Sequence, residues 1–300
     1  MSTSVEPAAR RLIGTRAEGL ALLLLTACSW GLTWPQSKFL LTELPPFTMR
    51  SVCTVGGVVF AFAVAALRRE ELRPPRAQWG WLIVFAVLNF GGFMVFSTLA
   101  LVWLNASEAV IVTYTLPIWA GLLAWPILGE RPTVRRIAAM VLGLVGVALL
   151  VGVGSVQARW SKLPGVASGL LAAAIFGLGT VIAKRHPLTL PPVTSVAWQV
   201  TIGTVPLLVL ALWERPHWVA VTAVGWLCCG YIMVMPMTVA YLAWFRALRF
   251  VSASTAATMV LISPLVGVFG SALLLGDPLG PRQLLAVAVT LTGVGLAARG

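Results

Sequence analysis

The sequence predicts an all-α membrane protein whose ten transmembrane helices form two inverted five-helix repeats (5+5), with both termini on the cytoplasmic side. Three observations carry this prediction. Hydrophobic residues make up 59% of the 300-residue chain and charged residues 10%, with a mean hydropathy of +0.94, an excess that no soluble core of this size needs. The apolar residues fall into runs of spanning length separated by short polar gaps. The stretch from Pro117 to Val147 also recurs from Pro264 to Val294, a shift of 147 that lays Gly129 on Gly276, Glu130 on Asp277, Arg135 on Arg282 and Gly146 on Gly293. Apolar segments match one another cheaply, so the weight rests on the prolines, glycines and charges, and these agree.

A backbone in lipid must satisfy its hydrogen bonds within its own segment, so each run of about 20 apolar residues is read as a helix of about 30 Å. In order the spans cover residues 18–37, 47–67, 79–100, 107–127, 134–152, 165–184, 193–213, 219–245, 253–274 and 281–298. The first follows a basic tail, residues 1–17, and superficially resembles a signal peptide. It is of spanning length, however, and it has its own counterpart in the second half. A shift of 146 lays Trp30-Gly31-Leu32 on Phe176-Gly177-Leu178, Lys38 on Lys184 and Leu44-Pro45-Pro46 on Leu190-Pro191-Pro192. The first repeat therefore covers residues 18–152 and the second 165–298, joined by a linker at 153–164.

Charge sets the orientation. Alternate gaps hold fifteen of the 21 Lys and Arg residues on one side, the N-terminal tail included, and six on the other, which places both termini in the cytoplasm. Five helices per repeat is an odd number, so the copies cross the membrane in opposite directions. That is the arrangement from which one scaffold opens alternately to either side. The net charge of +12 lies in these gaps and reads as an orientation signal; no nucleic-acid partner is expected. Cys28, Cys53, Cys228 and Cys229 lie in apolar segments without metal or redox spacing.

Four spans carry interruptions near their middles: Gly91 and Gly92 in the third, Pro117 in the fourth, Pro236 in the eighth and Pro264 in the ninth. Each loosens one turn, and their pairing across the repeat points to hinges. Polar and aromatic residues cluster at the same depth. Trp30 and Trp34 are one turn apart in the first span, Asn89 adjoins the paired glycines, and Thr113 and Tyr114 precede Pro117. Trp198 and Gln199 lie in the seventh span, Tyr241 and Trp244 in the eighth, and Thr258 and Ser263 precede Pro264. An amide in hydrocarbon costs about 4–8 kcal/mol without a partner, so Asn89 and Gln199 should face protein or water. Lys38 and Lys184, at equivalent helix ends, could steer a carboxylate at a mouth or snorkel to the headgroups.

The duplicated layout, with its mid-helix proline followed by Gly129-Glu130-Arg131-Pro132, then Arg135, Gly143 and Gly146, resembles the EamA-type branch of the drug/metabolite transporter superfamily. Over residues 18–298 the chain is similar to the YddG-like exporters of aromatic amino acids within that branch. The second copy departs from the motif, with Gly276-Asp277-Pro278 in the loop and Thr290 in place of Gly143. The resemblance implies a central cavity between the repeats and efflux from the cytoplasm across a bacterial inner (plasma) membrane.

None of the nine acids is expected near the bilayer midplane, where a proton-driven pump usually keeps one. Asn105-Ala106-Ser107-Glu108 reads as a capping box at the start of the fourth span. No phosphate-binding G-x-x-x-x-G-K-[ST] motif is present, no nucleophile-and-base set points to an enzyme, and no cofactor or metal is implied. The expected activity is export of amino acids, aromatic or large and apolar, by alternating access, either facilitated by the substrate gradient or coupled through groups that the sequence does not identify. A nucleotide-sugar or amphiphilic-drug carrier is the alternative within transport, and a membrane enzyme on lipid intermediates the alternative outside it. The expected partners are the small-molecule substrate and the lipid bilayer; the number of chains per assembly stays open, a monomer included.

Overall fold

Helix is the regular structure throughout the residues described by the computed structural model, which are 6–129, 134–151, 156–218, 221–247, 249–251, 259–260 and 262–298. Helix α1 runs Glu6–Leu40 and α2 Pro46–Leu67, the latter opened by a proline in its first turn, where the missing N–H costs no bond. The third helical stretch starts with a 3₁₀ turn at Arg76–Gln78 and continues as α3, Trp79–Phe85. A π-helical segment, Ala86–Gly92, then leads into α4, Phe93–Trp103. The fourth stretch is broken into α5, Ala106–Thr113, and α6, Leu116–Leu128, and is followed by α7, Val134–Val151.

The second half repeats the plan. It comprises α8, Val156–Arg185; α9, Pro192–Ala211; α10, Ala223–Val234; a π-segment at Met235–Val239; α11, Ala240–Ala247; α12, Ile262–Leu275; and α13, Pro281–Ala298. Gly129 after α6 and Gly276 after α12 both take positive φ, 74° and 71°, a region that side-chain-bearing residues avoid. Their N–H groups close the preceding turns on Trp125 O and Ala272 O.

Among the described residues, seven helices are long and apolar enough to cross a membrane: Arg16–Leu40, Pro46–Leu67, Arg76–Trp103, Ala106–Leu128, Trp160–Arg185, Pro192–Ala211 and Ala223–Trp244. Val134–Val151, Ile262–Leu275 and Pro281–Ala298 fall at the fifth, ninth and tenth positions in the sequence. Large apolar side chains such as Val59, Leu227 and Leu273 face outward, at 63%, 74% and 87% exposure, which suits a surface solvated by hydrocarbon. Helices α1 and α8 both extend beyond the apolar runs that identify them.

The packing is closed under exchange of the two halves. Helix α2 packs on its own equivalent α9, and α7 on its equivalent α13. Helix α1 packs on α12 and α11, while its equivalent α8 packs on α6 and α4. The first π-segment lies against α9, and α10 against α2. The direction of the equivalents follows from their caps. Glu70, just past the end of α2, accepts hydrogen bonds from Thr194 N and Oγ1 at the start of α9, at 2.9 and 3.1 Å. Glu214, just past the end of α9, accepts from Phe47 N and Thr48 N at the start of α2, at 3.0 and 2.6 Å. Each helix ends where the other begins, so α2 and α9 run antiparallel.

Candidate functional site

The expected weak points take three local forms. In the third and eighth stretches Gly91, Gly92 and Pro236 all lie within the two π-segments, where one extra residue per turn displaces the carbonyl ladder. In the fourth the helix breaks at Tyr114 and Thr115, and Pro117 occupies the first turn of α6 rather than the middle of a continuous helix. The reason is steric: a proline ring clashes with the turn before it but is free of conflict at a helix start. Pro264 is a buried residue near the start of α12. Thr258 lies outside the described residues.

Two aromatic groups gather at these interruptions. The Trp30 ring meets Tyr241 edge-on at 5.5 Å and Trp244 at 6.0 Å, and its Nε1–H donates to Pro236 O at 3.2 Å. The bond joins α1 of the first half to the π-segment of the second. One turn further along α1, Trp34 packs 6.3 Å from Tyr114, at the break between α5 and α6. Asn89, Thr113 and Thr238 each hold a buried side-chain oxygen without a hydrogen-bond partner. Such an atom costs about 1–3 kcal/mol unless water or a ligand reaches it. Thr238 and Tyr241 also line a small cleft with Val193, Val196, Met237 and Leu242. Ser263 is fully buried.

Other expected site residues lie elsewhere. Trp198 turns away from the other expected aromatic residues: its Nε1–H donates to Leu72 O in the loop after α2, 2.8 Å away, and its ring packs against Trp79 and Phe62. Gln199 donates to Ser195 Oγ, one turn back in its own helix. Lys38 turns to the end of α4, where Nζ donates to Leu101 O at 2.6 Å and Leu104 O at 2.8 Å, satisfying carbonyls left open by the helix terminus. Lys184 lies in the last turn of α8.

The acids serve helix starts. Glu43 accepts from Thr222 N before α10, and Asp277 from Ser107 N and Oγ in α5, in addition to the two caps described above. Glu108 accepts from Asn105 N at 3.3 Å, the reciprocal half of the capping box, and pairs through its other oxygen with Lys162 Nζ at 2.6 Å. A carboxylate at a helix N-terminus meets both unpaired N–H groups and the positive end of the dipole.

One buried charge is not visible as such in the sequence. Arg50 counts as a gap charge by its place near a span end, yet it lies inside α2 with 4% exposure. The available signal was its position four residues beyond the proline that opens the helix.

A helical bundle in two related halves, with an apolar exterior and aromatic and polar groups drawn to helix interruptions inside, defines a multi-pass membrane transporter. The chain belongs to the EamA-like transporter family, whose model matches residues 17–152 and 163–299. It is similar to the uncharacterized transporter YvbV of Bacillus subtilis, at 28% identity over 91% of this chain and 89% of that protein. It is also similar to the uncharacterized transporter YwfM of the same organism, at 29% identity over 91% and 90% of the two chains. The uncharacterized transporter sll0355 of Synechocystis is 25% identical over 88% and 85%. A solved crystal structure shares the fold with a TM-score of 0.66 at 20% identity, covering 93% of this chain and 96% of that one.

Proposed function

We propose that the protein is a ten-span transporter of the bacterial inner membrane, with both termini in the cytoplasm, that exports aromatic or large apolar amino acids by alternating access between its repeats. One observation carries the reading most directly: Trp30, Tyr241 and Trp244 meet at a helix interruption on the seam between the halves. Aromatic walls bind an apolar side chain, and backbone groups loosened at π-segments can meet a carboxylate or ammonium. The capping roles of Glu43, Glu70, Glu108, Glu214 and Asp277 support a facilitator driven by the substrate gradient, since those acids are committed to helix ends.

Uptake of labelled phenylalanine into liposomes holding the purified protein, with other amino acids and nucleotide sugars as competitors, tests the cargo. Faster entry than into empty liposomes, suppressed by amino acids, is the expected result. Entry at the empty-liposome rate overturns it. An imposed pH gradient that strongly accelerates entry would overturn the facilitator part alone.

A further inference from the structure

Arg50 is a buried cation held between three helices, with no counter-charge among the described residues. Its Nε donates to Thr98 Oγ1 on α4 at 2.9 Å, and Nη1 reaches Ser37 Oγ on α1 only at 3.5 Å. Thr98 gives its own proton to Met94 O at 2.6 Å, which leaves its oxygen lone pairs for the arginine. Among the described residues no carboxylate pairs with the guanidinium, and Nη2 makes no hydrogen bond. The carboxylate that serves the start of the same helix, Glu214, has both oxygens engaged by Phe47 N and Thr48 N. Ser51 Oγ, on the residue that follows Arg50 in the chain, is buried and unbonded.

A guanidinium keeps its charge at any physiological pH and carries five donors in a planar fork. Neutral hydroxyls can fix its position but cannot offset the loss of water around a full charge; an anion can. The fork matches a carboxylate in a bidentate geometry, and the poorly engaged outer edge, Nη1 and Nη2, is the edge such a pairing uses.

We propose that Arg50 is the docking point for the carboxylate of the cargo, held between α1, α2 and α4. The assignment rests on the amino-acid reading above and adds to it the group that recognises the common end of every amino acid, while the aromatic cluster around Trp30 selects the side chain.

The test uses the full chain in detergent and follows thermal unfolding with two probes: 3-phenylpropionate, which keeps the carboxylate and lacks the amine, and 2-phenylethylamine, which does the reverse. The wild-type midpoint is expected to rise with 3-phenylpropionate and not with 2-phenylethylamine, and Arg50→Gln to abolish the rise. Arg50→Lys keeps the charge without the fork; an affinity for 3-phenylpropionate at least tenfold weaker is expected, which keeps the test intact should the glutamine variant fail to fold. A wild-type protein indifferent to 3-phenylpropionate, or an Arg50→Lys variant that binds it as tightly, overturns the assignment. Liposome flux separates the two claims. A carboxylate response without phenylalanine transport sinks the cargo reading and leaves the anion site, whereas phenylalanine transport unchanged by Arg50→Lys sinks the site and leaves the cargo.

Discussion

Glu70 and Glu214 hold each other's helices: the carboxylate that follows α2 caps α9 through Thr194, and the one that follows α9 caps α2 through Phe47 and Thr48. The two glutamates are one contact used twice, at opposite ends of an antiparallel pair. Replacing either with Ala should lower stability by about 0.5–2 kcal/mol, the usual range for a lost helix cap. Because the caps lie at opposite ends of the pair and share no partner, the double variant should lose close to the sum. Thermal unfolding in detergent measures this. A double variant no less stable than the singles would show that the caps are not independent.

Gly31 and Gly177, matched by the 146-residue shift, each let an equivalent pair of helices touch backbone to backbone. A Cβ on Gly31 would sit 2.5 Å from Ser263 O at the start of α12, and one on Gly177 would sit 2.8 Å from Ala120 N in α6. Overpacking of this kind costs about 1–3 kcal/mol. Gly31→Ala and Gly177→Ala should therefore both destabilise, while Gly230→Ala, where no atom lies within 4 Å, should be neutral or slightly stabilising. Equal melting points for all three would remove the close-approach argument.

Much of this was legible in the chain because duplication converts single residues into pairs. The match of Gly31 to Gly177, of Pro46 to Pro192 and of Gly129 to Gly276 marks contact, helix start and helix stop twice over, and repetition separates these signals from chance. The interruptions at Gly91, Gly92 and Pro236 were readable for the same reason, although glycine and proline say only that a turn is weak and not that it becomes a π-segment. Trp198 and Lys38 were not legible. Depth along a span does not reveal direction around it, and both side chains run to a helix end or loop that the linear order keeps 63 or more residues away. Arg50 was hidden by the rule that assigns charges near span ends to water.

The proposed hinges make a kinetic prediction. Pro117 opens α6 beside the break at Tyr114 and Thr115, and Pro264 stands near the start of α12 in the equivalent place. Alanine can donate the N–H that proline lacks and continue the preceding turn, so Pro117→Ala and Pro264→Ala should favour straighter helices. Flux of labelled phenylalanine in liposomes should fall more than the amount of protein inserted. Wild-type flux in both variants would refute a hinge role.

Lys162 and Glu108 tie the halves together at the face where α5 begins. The 2.6 Å pair bridges α8 to α5, Glu108 Oε2 also accepts from Asn105 N, and Asp277 from the second half binds Ser107 next to it. Glu108 is 9% exposed in its side chain and Lys162 26%, so the pair is only partly screened by water. Lys162→Met removes the cation but leaves the capping bonds, which isolates the bridge between halves from the stability of α5 itself. If this bridge helps to keep that face closed, its loss should shift the equilibrium toward opening by about 1–3 kcal/mol, roughly 5- to 150-fold. Ala106, fully buried beside it, reports the opening: as Ala106→Cys in a chain without its four native cysteines, it should react with a water-soluble maleimide faster by a factor in that range when Lys162 is also replaced. Unchanged reactivity would reduce the pair to a local contact with no part in closing the face.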